Sequence, residues 1–238
     1  MKGNTAVVLM SGGIDSATCM GLAARQFDSI IPVHFQYGQQ TEDVELDMAY
    51  NQVQHLSNVY DDTSVGGLQV VNYDGVFHHF AGGVAEPGKD FSHMEEDDGR
   101  SSGYVPMRNL HLIATGAAFA DDRDAIAVFH GAQAGDDADY PDCRQTFMDS
   151  AAGAISKSVP DGQEINLQTP LIHKEKFEVI KLAHDVGVEF RHTYSCYTDV
   201  EDPDDPTPCG ECPACAERAE AFEAAGIEDP FETPEVVN

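Results

Sequence analysis

No stretch of this chain approaches the roughly 18 consecutive apolar residues that a membrane-spanning helix needs. An apolar leader with a cleavage pattern is lacking too, because Met1-Lys-Gly-Asn runs straight into a strand-like segment, so the expected location is the cytoplasm. Positive charge is scarce. Thirteen Lys and Arg stand against 42 Asp and Glu, a formal net charge of −29. That balance argues against stable nucleic-acid binding, which depends on neutralising phosphates. The acids are spread over the whole chain, as at Asp61-Asp62, Glu95 to Asp98, Asp121-Asp122, Asp136-Asp137 and Asp204-Asp205. A scattered excess reads as a solvated surface rather than a binding patch. It repels itself unless salt screens it, and at about 1 M salt the Debye length falls to roughly 3 Å. The composition therefore reads as adaptation to a very saline cytoplasm; the competing reading is an acidic face made for a basic partner. Finally, the six cysteines form no disulfide framework. Cys19 and Cys143 are isolated, and the other four cluster near the C-terminus, a pattern that in a cytosolic protein more often binds metal.

What the chain does have is enough apolar content, 42% of 238 residues, for one large core. Strand-like and helix-like segments alternate. Strands are expected at Thr5–Met10, Ser29–Phe35, Ala125–Phe129 and Ile165–Gln168, and helices at Asp15–Arg25, Thr41–Leu56, Asn109–Ala120, Arg144–Ser158 and Lys174–Val186. Such alternation predicts an α/β fold with a doubly wound, mostly parallel sheet, whose ligands bind at the carboxyl ends of the strands. Residues 65–103 read as a long loop able to close over a site, and the acidic, Pro-rich stretch 199–208 as a surface insert. The expected layout is a nucleotide domain over 1–190, a metal-organised extension of it over 191–226, and a tail over 227–238.

The most informative segment is Ser11-Gly12-Gly13-Ile14-Asp15-Ser16, between the first strand and the first helix. Paired glycines accept φ > 0, so successive backbone N–H groups can turn toward one anion. The helix that follows adds its unpaired N–H groups and the positive end of its dipole. Ser11, Ser16 and Thr18 offer hydroxyls, and Asp15 can cap the helix or hold a metal ion. The Gly-Lys-Ser/Thr ending of a Walker loop is absent. A bare Gly-Gly turn with an ordinary cap needs no ligand; the preceding strand and flanking serines favour a phosphate cradle spanning Met10, the hexapeptide, Ala17 and Thr18.

Other segments are weaker one by one. Cys209, Cys212 and Cys215 stand at i, i+3 and i+6, and Cys196 can supply a fourth sulfur across the intervening loop. Four thiolates favour tetrahedral Zn²⁺ in a closed, structural site, although an iron–sulfur cluster also accepts four cysteines. Arg108 and Asn109 open a helix after Tyr104-Val-Pro-Met, and can orient a planar or anionic ligand or simply form a proline turn and cap. Tyr140-Pro-Asp142-Cys-Arg144 offers an acceptor for the N–H edge of a guanine-like base and a cation for a carboxylate, but alone it reads more simply as a capped proline turn. Lys174 and Lys176 fall in the first turn of a helix whose dipole disfavours a cation there, and a triphosphate near Lys176 or Lys174 would explain the placement.

The hexapeptide resembles the pyrophosphate loop, SGGxDS, of the N-type ATP pyrophosphatases. Together with Phe35-Gln-Tyr-Gly-Gln39, Tyr104–Asn109, Tyr140–Arg144, Thr193-Tyr-Ser-Cys-Tyr197 and the cysteine cluster through Arg218, it makes an ordered set that closely resembles the 7-cyano-7-deazaguanine (preQ0) synthase family over nearly the whole chain. The resemblance implies an adenine nucleotide alpha hydrolase-like fold. It implies a carbon–nitrogen ligase that takes 7-carboxy-7-deazaguanine, ammonia and ATP with Mg²⁺ and adenylates the carboxylate, with structural Zn²⁺ and a homodimer. Carried onto this sequence, it makes Asp15 and Lys176 the catalytic pair, Arg108, Asn109, Tyr140, Asp142 and Arg144 the substrate contacts, and Cys196, Cys209, Cys212 and Cys215 the metal ligands. Ala138-Asp139 stands where the family often has Ser-Gly, Tyr194 where Trp is common, and the loop between Cys196 and Cys209 is longer than usual. Two other classes remain: another N-type ATP pyrophosphatase that modifies tRNA or makes an amide, and a zinc-containing binding module without catalysis.

Overall fold

The computed structural model describes residues 4–77, 79, 83–86, 103–137, 140–198 and 206–231. Its centre is strand β1, Thr5–Leu9, buried on both faces. Val7 and Leu9 enter one core with Val33, Phe35 and Ile113, while Ala6 and Val8 enter the other with Met20, Ile30 and Ile180. A strand apolar on both sides needs a helical layer on each, and helices cover both faces here.

β1 pairs in parallel with β2 (Ser29–Gln36) on one side and with β5 (Ala127–Phe129) on the other. β3 (Ser64–Val65) and β4 (Gln69–Asn72) lie successively along the outer edge of β2, and β6 (Asn166–Gln168) extends the sheet beyond β5. All these pairings are parallel, in the order β3-β2-β1-β5-β6 with β4 also on β2. β3 and β4 correct part of the long-loop expectation for residues 65–103. They form one edge strand interrupted by Gly66-Gly67, and a one-turn helix α3 (Asp74–Phe77) follows. Pattern alone missed them because a two-residue and a half-exposed four-residue strand carry almost no periodic signal. Much of the remaining loop lies outside the described residues, as do Ala138-Asp139, most of the 199–208 insert and the end of the tail.

Helix α1 (Ile14–Ala24) packs with α6 (Lys176–Asp185) and α7 (Pro213–Ala225) on one face, joined by the C-terminal half of α2 (Glu42–Val59). α4 (Arg108–Asp122) and α5 (Gln145–Ser158) cover the other. Gly21 lets α1 approach the chain beyond α6, since a Cβ there would lie 2.6 Å from Val186 Cγ2. Lys174 lies outside α6, which starts at Lys176 behind a capping box of Glu175 and Glu178. The element order reverses between β1 and β5, so the loops after these two strands open a crevice. Among the described residues no helix is long and apolar enough to cross a membrane.

Candidate active site

The loop after β1 enters that crevice. Gly12 has φ +86°, and a Cβ on it would lie 2.4 Å from the Glu45 carbonyl oxygen in α2. The loop can pass only because nothing projects there. Gly13 sits at the N-cap of α1 without a side-chain cap, so the first N–H groups of an eleven-residue helix are left for a ligand. Ser11 Oγ donates to Ser16 Oγ at 3.1 Å and accepts from Gly13 N, while Ser16 Oγ donates to the Gly13 carbonyl at 2.9 Å. The Thr18 hydroxyl is engaged deeper in the helix, donating to the Ile14 carbonyl at 2.7 Å. Gly131, just past β5, closes the far side. A Cβ there would lie 3.2 Å from the Asp15 backbone.

Lys176, at the start of α6, meets Asp15 with Nζ 2.7 and 3.0 Å from its two carboxylate oxygens. Burial pulls the Lys176 ammonium down, but the charges of Asp15, Glu217 and Asp136 outweigh it and hold the group above its ordinary range. The lysine thus stays a cation beside the helix terminus despite the unfavourable dipole.

A cavity of about 260 Å³ runs from this loop across the ends of the strands. Ser11, Gly13, Asp15 and Ser16 line one end; Tyr37, Arg108, Tyr140 and Tyr197 line the other. The Arg108 guanidinium lies 5.6 Å over the Tyr140 ring and donates to Tyr37 Oη at 3.5 Å. Burial pushes the Tyr37 phenol up to about 12, so it remains a neutral donor. Burial likewise raises the Glu45 carboxyl, against the donors Thr41 at 2.6 Å and Gln39 at 3.1 Å. His130, in the cavity wall, accepts from Ala132 N at Nδ1 and is hydrogen-bonded to Asn109 Oδ1 through Nε2 at 3.2 Å. Burial, with the Arg108 charge, lowers its pKa to about 4 and keeps it neutral.

The expected substrate contacts divide. Arg108, Asn109 and Tyr140 line the cavity; Asp142 and Arg144 are not among its lining residues. Asp142 Oδ2 accepts the Asn109 backbone N–H at 2.9 Å, which caps α4. That contact ties the Tyr140–Arg144 turn to the Arg108 helix, and Arg144 lies exposed beyond it. The composition-based reading missed Asp136, Glu45 and His130. Asp136 was counted with the scattered surface acids, although its position just after a strand was the available signal.

The four clustered cysteines bring their sulfurs within 4.8 Å of one another, with neighbouring pairs at 3.4 to 3.9 Å. A tetrahedron with metal–sulfur bonds of about 2.3 Å has edges of about 3.8 Å, so the set fits a zinc-sized ion. Thr198 N and Cys209 N point at Cys196 Sγ, and Glu211 N and Cys212 N at Cys209 Sγ. The sulfurs share their protons: hydrogen bonds from the Cys212 and Cys215 thiols hold Cys196 below the ordinary thiol range, and the same contacts hold Cys212 and Cys215 above it. The cluster is not remote from the crevice. Cys196 lines the cavity, and Tyr194 N donates to the Gly12 carbonyl at 3.0 Å. Behind it, buried Arg218 pairs with Asp229 at 2.7 Å and donates to Thr193 and Ser195.

A parallel sheet with an uncapped phosphate-type loop, a paired lysine at that loop and a cation-and-tyrosine end to the cavity define an α/β protein whose site suits an anionic, phosphate-bearing ligand. The chain belongs to the QueC family (queuosine biosynthesis protein QueC), whose model matches residues 5–226. Its relatives include the 7-cyano-7-deazaguanine synthases of Methanospirillum hungatei (35% identical, covering 94% of this chain and 97% of that one) and Haloarcula marismortui (34%, 97% and 95%). The synthase of Halobacterium salinarum is 34% identical over 99% of this chain and 98% of its own.

Proposed function

We propose that this chain is an ATP-dependent ligase that converts 7-carboxy-7-deazaguanine and ammonia into 7-cyano-7-deazaguanine. The observation that carries the reading is the one cavity joining the Ser11–Ser16 loop to the Arg108, Tyr37 and Tyr140 end, in a chain matching the family from strand to cysteine cluster. A carboxylate is a poor electrophile. ATP supplies a leaving group by adenylating it, and pyrophosphate departs from the loop, where the α1 N–H groups and Lys176 meet its charge. Ammonia then displaces AMP to give the primary amide. A second adenylation, on the amide oxygen, lets the oxygen leave with AMP and the nitrile form. Mg²⁺ would accompany the phosphates and neutralise their charge. Zn²⁺ in the Cys196, Cys209, Cys212 and Cys215 set would hold the 193–197 segment and leave no open position for chemistry.

At the other end of the cavity, Arg108 suits the anionic substrate and the tyrosines its flat ring. Asp142 and Arg144 act on this reading through the turn that positions Tyr140 and Asn109. The test is incubation of the purified protein with the acid, ammonium and Mg-ATP at molar salt, followed by mass detection. The expected products are the nitrile with the amide as intermediate, and AMP with pyrophosphate. If the acid is unchanged while other acids or tRNA are modified, the chain is a different N-type ATP pyrophosphatase. The family resemblance also implies a homodimer in the cytoplasm, which sedimentation at molar salt tests for assembly.

A further inference from the structure

The amide-forming step needs a group to take a proton from nitrogen, and among the described residues Asp136 is the one we single out for it. Asp136 lies in the short 3-10 turn Ala134–Asp137 after β5 and lines the cavity. Its electrostatic neighbours come from both ends: Asp15 and Lys176 at the loop, Cys143 and Tyr197 toward the substrate end, and Glu217 on α7. It therefore stands between the phosphates and the ring, where the carboxyl to be activated must lie. Gln133 holds it there, donating from N to Oδ2 at 3.1 Å and from Nε2 to Oδ1 at 3.4 Å. The same Nε2 reaches Glu217 Oε1 at 3.2 Å, which fixes the amide.

The other candidate bases along the cavity are engaged. Both Asp15 oxygens accept from Lys176. Glu45 accepts from Thr41 and Gln39. Both His130 nitrogens have partners. Asp136 accepts two hydrogen bonds as well; it differs from Asp15 in that both come from a neutral residue, Gln133, and from Glu45 in having neighbours at both ends of the cavity.

We propose that Asp136 is the proton acceptor for ammonia in this reaction, an assignment that rests on the function proposed above. As the nitrogen lone pair forms the C–N bond to the acyl-adenylate, the C–O bond to AMP breaks and AMP leaves with its electron pair. One proton passes from the nitrogen to Asp136, giving the neutral amide and a protonated carboxyl that returns its proton to water. Burial and the Asp15 charge push the Asp136 carboxyl up to about 6, against the pull of Lys176 and the Gln133 N–H, so at neutral pH it is mostly the base.

The experiment compares two rates in the full-length protein at molar salt, each across pH 5 to 8. One is acid-dependent ATP–pyrophosphate exchange, which reports adenylation alone. The other is amide formation at a fixed concentration of free ammonia, total ammonium being adjusted at each pH. The wild type is expected to show a rise centred near pH 6 in amide formation that is missing from exchange. Asp136→Asn should lose this rise, and lose at least about tenfold more in amide formation than in exchange. Asp136→Glu should recover part of the rate together with a rise at a shifted midpoint. If Asp136→Asn keeps the rise, or loses both rates equally, Asp136 is a structural clamp and the proposal is overturned. Should a variant not fold, a wild-type profile with no rise near pH 6 overturns it equally. If the wild type shows no exchange with the acid at all, the substrate reading fails first and the assignment falls with it.

Discussion

Gly12 and Gly38 share almost the same backbone conformation, φ +86° and +84°, which makes them a matched pair for testing why the phosphate loop needs glycine. Any Cβ in this left-handed region costs about 1–2 kcal/mol. At Gly38 the cost stops there, because a Cβ would meet nothing within 4 Å. At Gly12 it would also lie 2.4 Å from the Glu45 carbonyl oxygen and 3.0 Å from its carbonyl carbon and Cα. Those are backbone atoms of α2 and cannot swing aside, so either the helix or the loop must shift. Overpacking of this kind costs roughly 1–3 kcal/mol more. Gly12→Ala should therefore lose about 2–5 kcal/mol and Gly38→Ala about 1–2 kcal/mol. For a chain of this size that is a drop of about 4–20 °C against about 2–8 °C in melting temperature. A loop moved by about 1 Å should also cost on the order of a hundredfold in AMP release at Gly12 alone. Thermal unfolding and turnover of both variants at molar salt decide the matter. Equal melting temperatures, or full turnover in Gly12→Ala, would refute the contact with Glu45 as the reason for the glycine.

Asp15→Asn should cut turnover by at least about tenfold while the chain stays folded, because Lys176 loses its charge partner beside the loop; unchanged turnover would remove Asp15 from the reaction. The purified protein should carry about one zinc per chain, and Cys212→Ser should lose metal and stability together; iron with a visible absorption band would contradict this. Melting temperature should rise between low and molar salt as the net charge of −29 is screened, and a flat response would refute the saline reading. His130 is held at about 4 in the fold against about 6.5 when unfolded, so its contribution is present above pH 6.5 and lost as pH falls toward 4, at most about 3 kcal/mol. His130→Gln should flatten the acid end of the melting curve, and an unchanged slope would place the loss elsewhere.

Much of this architecture was legible from residues alone, because it rests on signals that act locally. The β-branched run before Gly12-Gly13, the periodic helices and the i, i+3, i+6 cysteines each report a local geometry, and each appears in the structure at the expected place. What was not legible depends on neighbours distant in sequence. Asp142 read as a free acceptor for a base edge, but α4, 33 residues away, takes that carboxylate for its own N-terminus. Asp136 looked like one of many surface acids until β5 carried it to the crevice beside Asp15. α7 was hidden inside a segment read only for its cysteines. Its Ala221 and Phe222 pack in the same core as α1 and α6, which no local pattern around Cys215 announces.

The placement of α7 also changes what a structural metal means in this chain. A metal on Cys196, Cys209, Cys212 and Cys215 would lock the segment 193–197, whose Tyr194 N–H holds the Gly12 carbonyl and whose Ser195 and Tyr197 line the cavity. From the same helix, Arg218 ties Thr193 and Ser195 down from behind, and Glu217 reaches the Gln133 amide that clamps Asp136. Zinc binding at the proposed site, of the order of 10 kcal/mol, would be far more than one loop of this size needs to stay ordered. Spread through Tyr194 and Gln133, the same free energy would also fix the position of the phosphate loop and of the proposed proton acceptor, two groups that follow different strands and have no direct hydrogen bond between them among the described residues. An acidic chain has few cations with which to pin an anionic loop, and in this fold the proposed metal–sulfur cluster would do that work through backbone N–H and carbonyl groups, whose hydrogen bonds molar salt screens far less than exposed ion pairs.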